Sequence, residues 1–197
     1  MSLKKFKYKE VRNFLPDKKY REIYKTIKDI DNFLWTLGEE TVSADLRQAQ
    51  FPYYKNIREH VLFVHTLYNI EFKNPANSES LPMVHTVCDH FLKTFNFKKM
   101  DVMRSKVNLQ IQVKDFKPHQ HNTPHIDYTE DVPHYVLLYY LNESDGDTFF
   151  FNKDHSVMKR IAPEPNKLVF FNGSIEHASS HPSNHKYRIA MNIDFQL

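Results

Sequence analysis

The sequence predicts a mostly β, α+β protein, helical in its first half and an all-β barrel or sandwich in its second. Three observations carry that expectation. Apolar residues recur at three- and four-residue spacing in the first half, the period falls to two from about Val102, and turn signals then come every eight to twelve residues.

Each element follows from local chemistry. Tyr20, Ile23, Ile27, Ile30 and Leu34 form one helical stripe behind Pro16-Asp17, a helix start. Ile57, Val61, Val64 and Leu67 share a face in a second expected helix. Val84, Val87, Cys88, Phe91 and Phe95 line a third, with Pro82 tolerated in its first turn. His85 and His90 lie five apart in that helix, so they diverge around it and read as ordinary helix residues. Strands are expected at 107–113, 135–141, 148–152, 157–161, 168–171, 175–179 and 187–195. Asn172-Gly173 is a strong two-residue hairpin signal, which would fold 169–171 back onto the strand leading to His177.

At 197 residues a single domain is the default, divided here into a helical N-terminal region (residues 1–100) and a β-rich core (residues 102–197). A net charge of +3 is too small to imply a nucleic-acid partner, and Lys4, Lys5, Lys7 and Lys9 read as a solvated edge. One cysteine, Cys88, excludes an intrachain disulfide framework. No leader pattern opens the chain and no apolar run approaches the length of a membrane span, so a cytoplasmic protein without a membrane partner is expected.

Among twelve histidines, only His125 has a carboxylate two residues downstream, in Thr123-Pro124-His125-Ile126-Asp127. Fifty residues past Asp127 comes His177, and eleven further on Arg188. Two histidines and one carboxylate form the set that holds non-haem Fe(II) on one face and leaves other positions open. Residues i and i+2 of an extended segment share a face, so His125 and Asp127 can point inward together. If the chain reverses near Pro182-Ser183, His177 and Arg188 fall opposite each other on an antiparallel pair. Arg188 supplies a planar, permanently charged fork for a carboxylate. His119, His121, His181 and His185 read as loop residues around the site mouth.

The carriers His125-Ile126-Asp127, Leu138-Tyr139-Tyr140-Leu141-Asn142, Asp145-Gly146-Asp147-Thr148, Leu168-Val169-Phe170-Phe171, His177 and Tyr187-Arg188-Ile189-Ala190 resemble the prolyl-4-hydroxylase-like branch of the Fe(II)- and 2-oxoglutarate-dependent oxygenases. The resemblance implies a double-stranded β-helix, or jelly roll, with N-terminal helices packed on it. It implies His125, Asp127 and His177 as catalytic iron ligands, with 2-oxoglutarate and O₂ as cosubstrates and ascorbate as a candidate reductant. It also implies Arg188 and Tyr140 as the hold on the distal 2-oxoglutarate carboxylate, with Tyr139 facing the other way. The family's Tyr-Gly-Pro-Gly is here Phe116-Lys117-Pro118-His119, a departure in the loop that frames the substrate. The implied reaction is hydroxylation of an unactivated C–H bond, first of all on a prolyl residue in a peptide or protein. A small amino acid or a nucleotide is the alternative substrate. Asn192, four residues beyond Arg188 on the same strand face, is the candidate substrate contact. The rival readings are a non-catalytic, metal-containing jelly-roll binding module and a cupin-type oxygenase that needs no 2-oxoglutarate.

Overall fold

Strands appear wherever β-branched and aromatic residues crowd together, and helices where apolar residues keep a helical period. The computed structural model describes residues 7–29, 31–39, 57–76, 78–128 and 132–197. In chain order these form β1 (Tyr8–Val11), α1 (Asp17–Lys28), β2 (Thr36–Gly38), β3 (Leu62–Asn69), α2 (Pro82–Phe95), β4 (Asp101–Ile111), β5 (Tyr135–Tyr140), β6 (Thr148–Phe151), β7 (Val157–Ile161), β8 (Lys167–Asn172), β9 (His177–Ser179) and β10 (Tyr187–Gln196). No described helix is long and apolar enough to cross a membrane.

The strands form two antiparallel sheets, ordered β1-β8-β5-β10-β4-β3-β2 and β7-β6-β9. They face each other across Val136, Leu138, Tyr140, Val169 and Phe171 of the large sheet and Phe150 and Ile161 of the small one. The rings of Phe150 and Phe171 stand 4.7 Å apart across that gap. The arrangement is a jelly roll, as expected. The other face of the large sheet is also buried: Leu137, Tyr139, Phe170, Ile189, Met191, Ile193 and Phe195 share a core with Ile23 and Ile27 of α1 and Val84, Val87 and Phe91 of α2. A strand covered on both faces needs apolar residues at both parities, which is why Tyr-Val-Leu-Leu-Tyr-Tyr shows no alternation.

α2 begins with Pro82 at its first turn and ends at Asn96, which adopts the left-handed conformation (φ 56°) that Asn tolerates better than most residues. Asn166, also left-handed, clamps the chain before α1. Its amide oxygen accepts from Leu15 N and from the Tyr139 hydroxyl, and its amide nitrogen donates to Leu15 O.

Several expectations change. The stretch containing Ile57, Val61, Val64 and Leu67 is not a helix: 62–69 is strand β3, paired with β4. Its run Leu-Phe-Val-His-Thr-Leu-Tyr is β-branched and aromatic, and that local preference wins over the coincidental three- and four-residue spacing. The N-terminal region (residues 1–100) is therefore not purely helical, since β1 and β3 extend the large sheet. The first helix stops at Lys28, Leu34 is exposed beyond it, and Ile30, with Lys4 and Lys5, lies outside the described residues.

Asn172-Gly173 makes no hairpin. β8 pairs with β1 and β5 while β9 pairs with β6, so this turn carries the chain from one sheet to the other. Neither residue has the positive φ that a tight hairpin of this type requires. Gly173 is needed for space instead: a Cβ there would come within 2.1 Å of the His134 ring. Nor do His177 and Arg188 pair. His177 lies opposite Phe150 in the small sheet, and Arg188 opposite Gln110 in the large one. The intervening loop crosses between the sheets, held by Asp145, whose carboxylate accepts the backbone N–H groups of Ser183, Asn184 and His185.

Phe91 is fully buried, with ring centroids 5.1 Å from Phe170 and 5.7 Å from Phe195. Phe91→Ala removes the contact between α2 and the large sheet. It is expected to destabilise the fold by about 3–5 kcal/mol, read as a lower urea midpoint with an unchanged slope.

Candidate metal centre

His125 sits just outside the small sheet, yet it joins that sheet's edge. Its backbone N–H donates to His177 O, and His177 N–H donates to His125 O, both at 2.9 Å. This reciprocal pair brings together side chains about fifty residues apart in sequence. The ligand atoms of His125, Asp127 and His177 all lie within 4.8 Å of one another.

The proton positions suit a cation. The Nδ1 of His125 lies 3.0 Å from Thr123 O, and that of His177 3.1 Å from Ile175 O. A carbonyl oxygen only accepts, so each Nδ1 carries the proton and each Nε2 keeps a free lone pair. Burial lowers the pKa of both rings, that of His177 to about 4, so both are neutral near pH 7. Burial pushes the Asp127 carboxyl up, but the His177 and His125 rings, once protonated at low pH, and the Arg104 guanidinium outweigh it and hold the group well below the usual carboxylate range. The Asp127 Oδ2 atom is buried without a hydrogen-bond partner, 3.4 Å from the bare Nε2 of His177. Two acceptors facing at that distance repel each other until a cation lies between them. The residues therefore fit a divalent metal with two-nitrogen, one-oxygen ligation.

Asp127 is fixed from behind. Arg104 of β4 donates through Nη2 to Asp127 Oδ1 and through Nε to Asp194 Oδ2, the latter at 2.7 Å. Burial, reinforced by the charge of Asp127, raises the Asp194 pKa to about 7. Next to the three ligands opens a cavity with about 670 Å³ of empty space, its mouth included. Arg188 lines it and is 2% exposed. Its Nη1 donates to Gln110 Oε1 at 2.7 Å and its Nη2 to Thr148 Oγ1 at 2.8 Å, while its Nε is buried without a partner. No carboxylate pairs with it among the described residues. A buried guanidinium without a counter-charge is costly, so the geometry suits an anionic ligand.

The sequence-derived residues mostly converge. Arg188, Asn192, His125 and His177 line the cavity together. Tyr140 is fully buried on the same side of β5 and donates to Thr148 Oγ1 at 2.7 Å, so it braces the hydroxyl that holds Arg188. Tyr139 faces the helices, as expected. Among the loop histidines, His121 and His181 do not flank the mouth. His121 packs on Phe149 and Phe151, and His181 is 2% exposed with its Nδ1 on Ile111 O. His185 lies on Asp145. Sequence reasoning missed Arg104, Lys106, Asn108 and Gln110. Their signal was a polar residue at every second position of β4, a pattern normally read as a solvent face.

A family model of the 2OG-Fe(II) oxygenase superfamily matches residues 111–195, the stretch that carries all three ligands and Arg188. The match lies within the jelly-roll half, which is therefore similar to this superfamily. Its members use Fe(II), 2-oxoglutarate and O₂. No curated protein matches the chain in sequence. Solved structures match in fold. One is a Trichoplax adhaerens prolyl hydroxylase in complex with a hypoxia-inducible-factor peptide, 15% identical, with a TM-score of 0.65, covering 98% of this chain and 84% of that one. A second is a Pseudomonas putida prolyl-4-hydroxylase, 15% identical, with a TM-score of 0.60 and coverages of 98% and 94%. A third is the α-ketoglutarate-dependent epimerase SnoN of nogalamycin biosynthesis, 10% identical, with a TM-score of 0.60 and coverages of 98% and 78%.

Removing one imidazole leaves two ligands, which hold a divalent metal poorly. His125→Ala and His177→Ala are each expected to lose most bound Fe(II) by elemental analysis while keeping the wild-type far-UV spectrum. Full metal content in both variants contradicts the site.

Proposed function

We propose that this oxygenase hydroxylates an unactivated C–H bond, with Fe(II) held by His125, Asp127 and His177 and the distal carboxylate of 2-oxoglutarate held by Arg188. The observation that carries the reading is Arg188: a buried, uncompensated guanidinium in the same cavity as three converging metal ligands. Neither a structural metal module nor an oxygenase without 2-oxoglutarate needs such a group there.

When bound, the iron and 2-oxoglutarate supply an oxidant from O₂, with release of succinate and CO₂. The chain's own residues do the rest. The two Nδ1–H···O=C bonds keep both imidazoles oriented with Nε2 inward. Arg104 prevents Asp127 from rotating away. Gln110, Thr148 and Tyr140 hold the Arg188 fork in one plane, so that it meets a carboxylate without rearranging. Leu138, Phe171 and Val64 give the cavity an apolar wall that limits water beside the reacting carbon.

We place a prolyl residue of a peptide or protein in that cavity. Two features support this choice: the fold shared with two prolyl hydroxylases, and an apolar wall of Leu138 and Phe171 beside His177, whose ring lies 5.0 Å from that of Phe171. The buried thiol of Cys88, the chain's one cysteine, supports a reducing, cytoplasmic setting.

Arg188→Met is expected to weaken 2-oxoglutarate binding by roughly 2–5 kcal/mol, the usual cost of breaking a desolvated charge pair, while Fe(II) stays bound. Arg188→Lys recovers only part of the loss, because an ammonium cannot reproduce the fork. Anaerobic titration of the iron–keto-acid absorption band measures both. Succinate release under air, dependent on 2-oxoglutarate, tests the chemistry. Unchanged 2-oxoglutarate affinity in Arg188→Met, or no succinate from metal-loaded wild type, overturns the assignment.

A further inference from the structure

Lys106 lies at the centre of the large sheet, opposite Asn192 of β10 on one side and Thr66 of β3 on the other. Its side chain lines the same cavity as His125, His177 and Arg188. Among the described residues three cationic side chains reach this region, and two are already committed. Arg104 is taken up by Asp127 and Asp194, and Arg188 faces the place proposed for the cosubstrate. Lys106 makes no hydrogen bond or ion pair with any described residue. Beside it, Asn192 is 6% exposed, lines the cavity, and has a buried amide oxygen without a partner. Asn108, two residues along β4 on the same face, likewise leaves its buried amide oxygen unpartnered.

Buried polar groups in native proteins are nearly always satisfied, so two buried amide oxygens without partners, beside a half-buried ammonium that bonds no described residue, point to a ligand that completes them. Gln110, the partner of Arg188, stands four residues from Lys106 on β4, about 13 Å at strand rise, so the two cations serve opposite ends of the cavity. The end near Lys106 is also walled by Leu138 and Phe171. The cation and the apolar wall suit a carboxylate on a small aliphatic residue, and the two amide oxygens are left to accept from N–H or O–H groups of the same ligand. A phosphate dianion demands more positive charge than one lysine supplies.

We propose that Lys106 recognises a carboxylate carried by the substrate, with the amide oxygens of Asn192 and Asn108 accepting from its donor groups, so that the hydroxylated residue is a free amino acid or the C-terminal residue of a peptide. The inference rests on the oxygenase reading above and deepens its prolyl assignment. A prolyl residue enters with its own carboxylate on Lys106 and its ring turned toward the metal ligands. An internal prolyl residue has no such group.

The test uses the full chain loaded anaerobically with Fe(II) and 2-oxoglutarate. The probes are the free L-amino acids including proline, N-acetylglycyl-proline and its carboxamide, peptides with internal proline, and nucleoside 5′-monophosphates. Affinity is read by calorimetry, and stimulated succinate release is read after air is admitted. A compound with a free α-carboxylate is expected to bind at least tenfold more tightly than its own carboxamide. Free proline against the C-terminal peptide then separates the two sources of that carboxylate. Lys106→Met should abolish the preference for acid over amide, and Lys106→Arg should keep some of it. Four results overturn the proposal: an amide that binds as well as its acid, stimulation only by internal-proline peptides or nucleotides, a panel in which no carboxylate binds, and a Lys106→Met variant that retains the acid preference. A Lys106→Met variant that loses more 2-oxoglutarate affinity than acid affinity assigns the lysine to the cosubstrate and also overturns it. If wild type itself fails to bind metal or 2-oxoglutarate, the oxygenase reading fails. With both bound, a negative result counts against Lys106 alone.

Discussion

Strand β10 serves two incompatible environments at once. It is hydrogen-bonded to β5 on one side and β4 on the other, so its backbone is paired on both sides from Ala190 to Phe195. Ile189, Met191, Ile193 and Phe195 enter the core shared with the helices, while Arg188, Asn192 and Asp194 turn inward between the sheets. A period of two makes this division possible, interrupted only by a register shift between Asp194 and Phe195 against β4. β4 repeats it beside β10, placing Gln110, Asn108, Lys106 and Arg104 opposite Arg188, Ala190, Asn192 and Asp194 in turn. The inner face is thus polar and the outer face greasy, the reverse of a sheet with one wet side. It is stable because α1 and α2 cover the outside and because most inward charges are paired.

The three candidate ligands hang from separate supports, which gives the centre its rigidity. His177 belongs to β9, His125 is tied to it by two backbone bonds, and Asp127 is held by an arginine rooted in the opposite sheet. Arg104 also binds Asp194, so the large sheet fixes the position of a carboxylate that belongs to the small-sheet side. Gly146 has a related role at the Arg188 end: a Cβ there would meet Ser180 O at 2.7 Å and the Arg188 side chain at 3.1 Å. The turn must be bare for the loop and the guanidinium to pack against it.

The jelly-roll strands are legible in the sequence to within a residue or two, apart from the early start of β4, because each is a β-branched or aromatic run bounded by Asp, Asn, Gly or Pro. The ligands and Arg188 are legible because their chemistry is rare at that spacing. Strand β3 reads wrongly as a helix because a short apolar run satisfies helical and extended spacing alike, and only its pairing with β4 decides between them. The relation of His177 to Arg188 also reads wrongly, since loop length does not tell whether a loop closes a hairpin or crosses between sheets. The inward lysine and asparagines are hidden for a deeper reason. Alternation in β4 is visible in sequence, but which of its two faces is covered depends on helices far along the chain.

The two ends of the cavity are built differently, and the difference has functional content. Around Arg188 the fork is braced by Gln110, Thr148 and, through Thr148, Tyr140, which fixes its plane while its Nε stays without a partner. Such an end suits one invariant ligand, because an over-determined site loses little entropy on binding and adapts poorly to other shapes. Around Lys106 the amides of Asn108 and Asn192 are left short of partners, and a lysine, with its rotatable stem, replaces the rigid fork. That end can adjust its donors to the ligand that arrives. On the proposed reading, a rigid anchor for the constant cosubstrate and an adaptable one for the variable substrate lie on the same two strands, within four residues of each other.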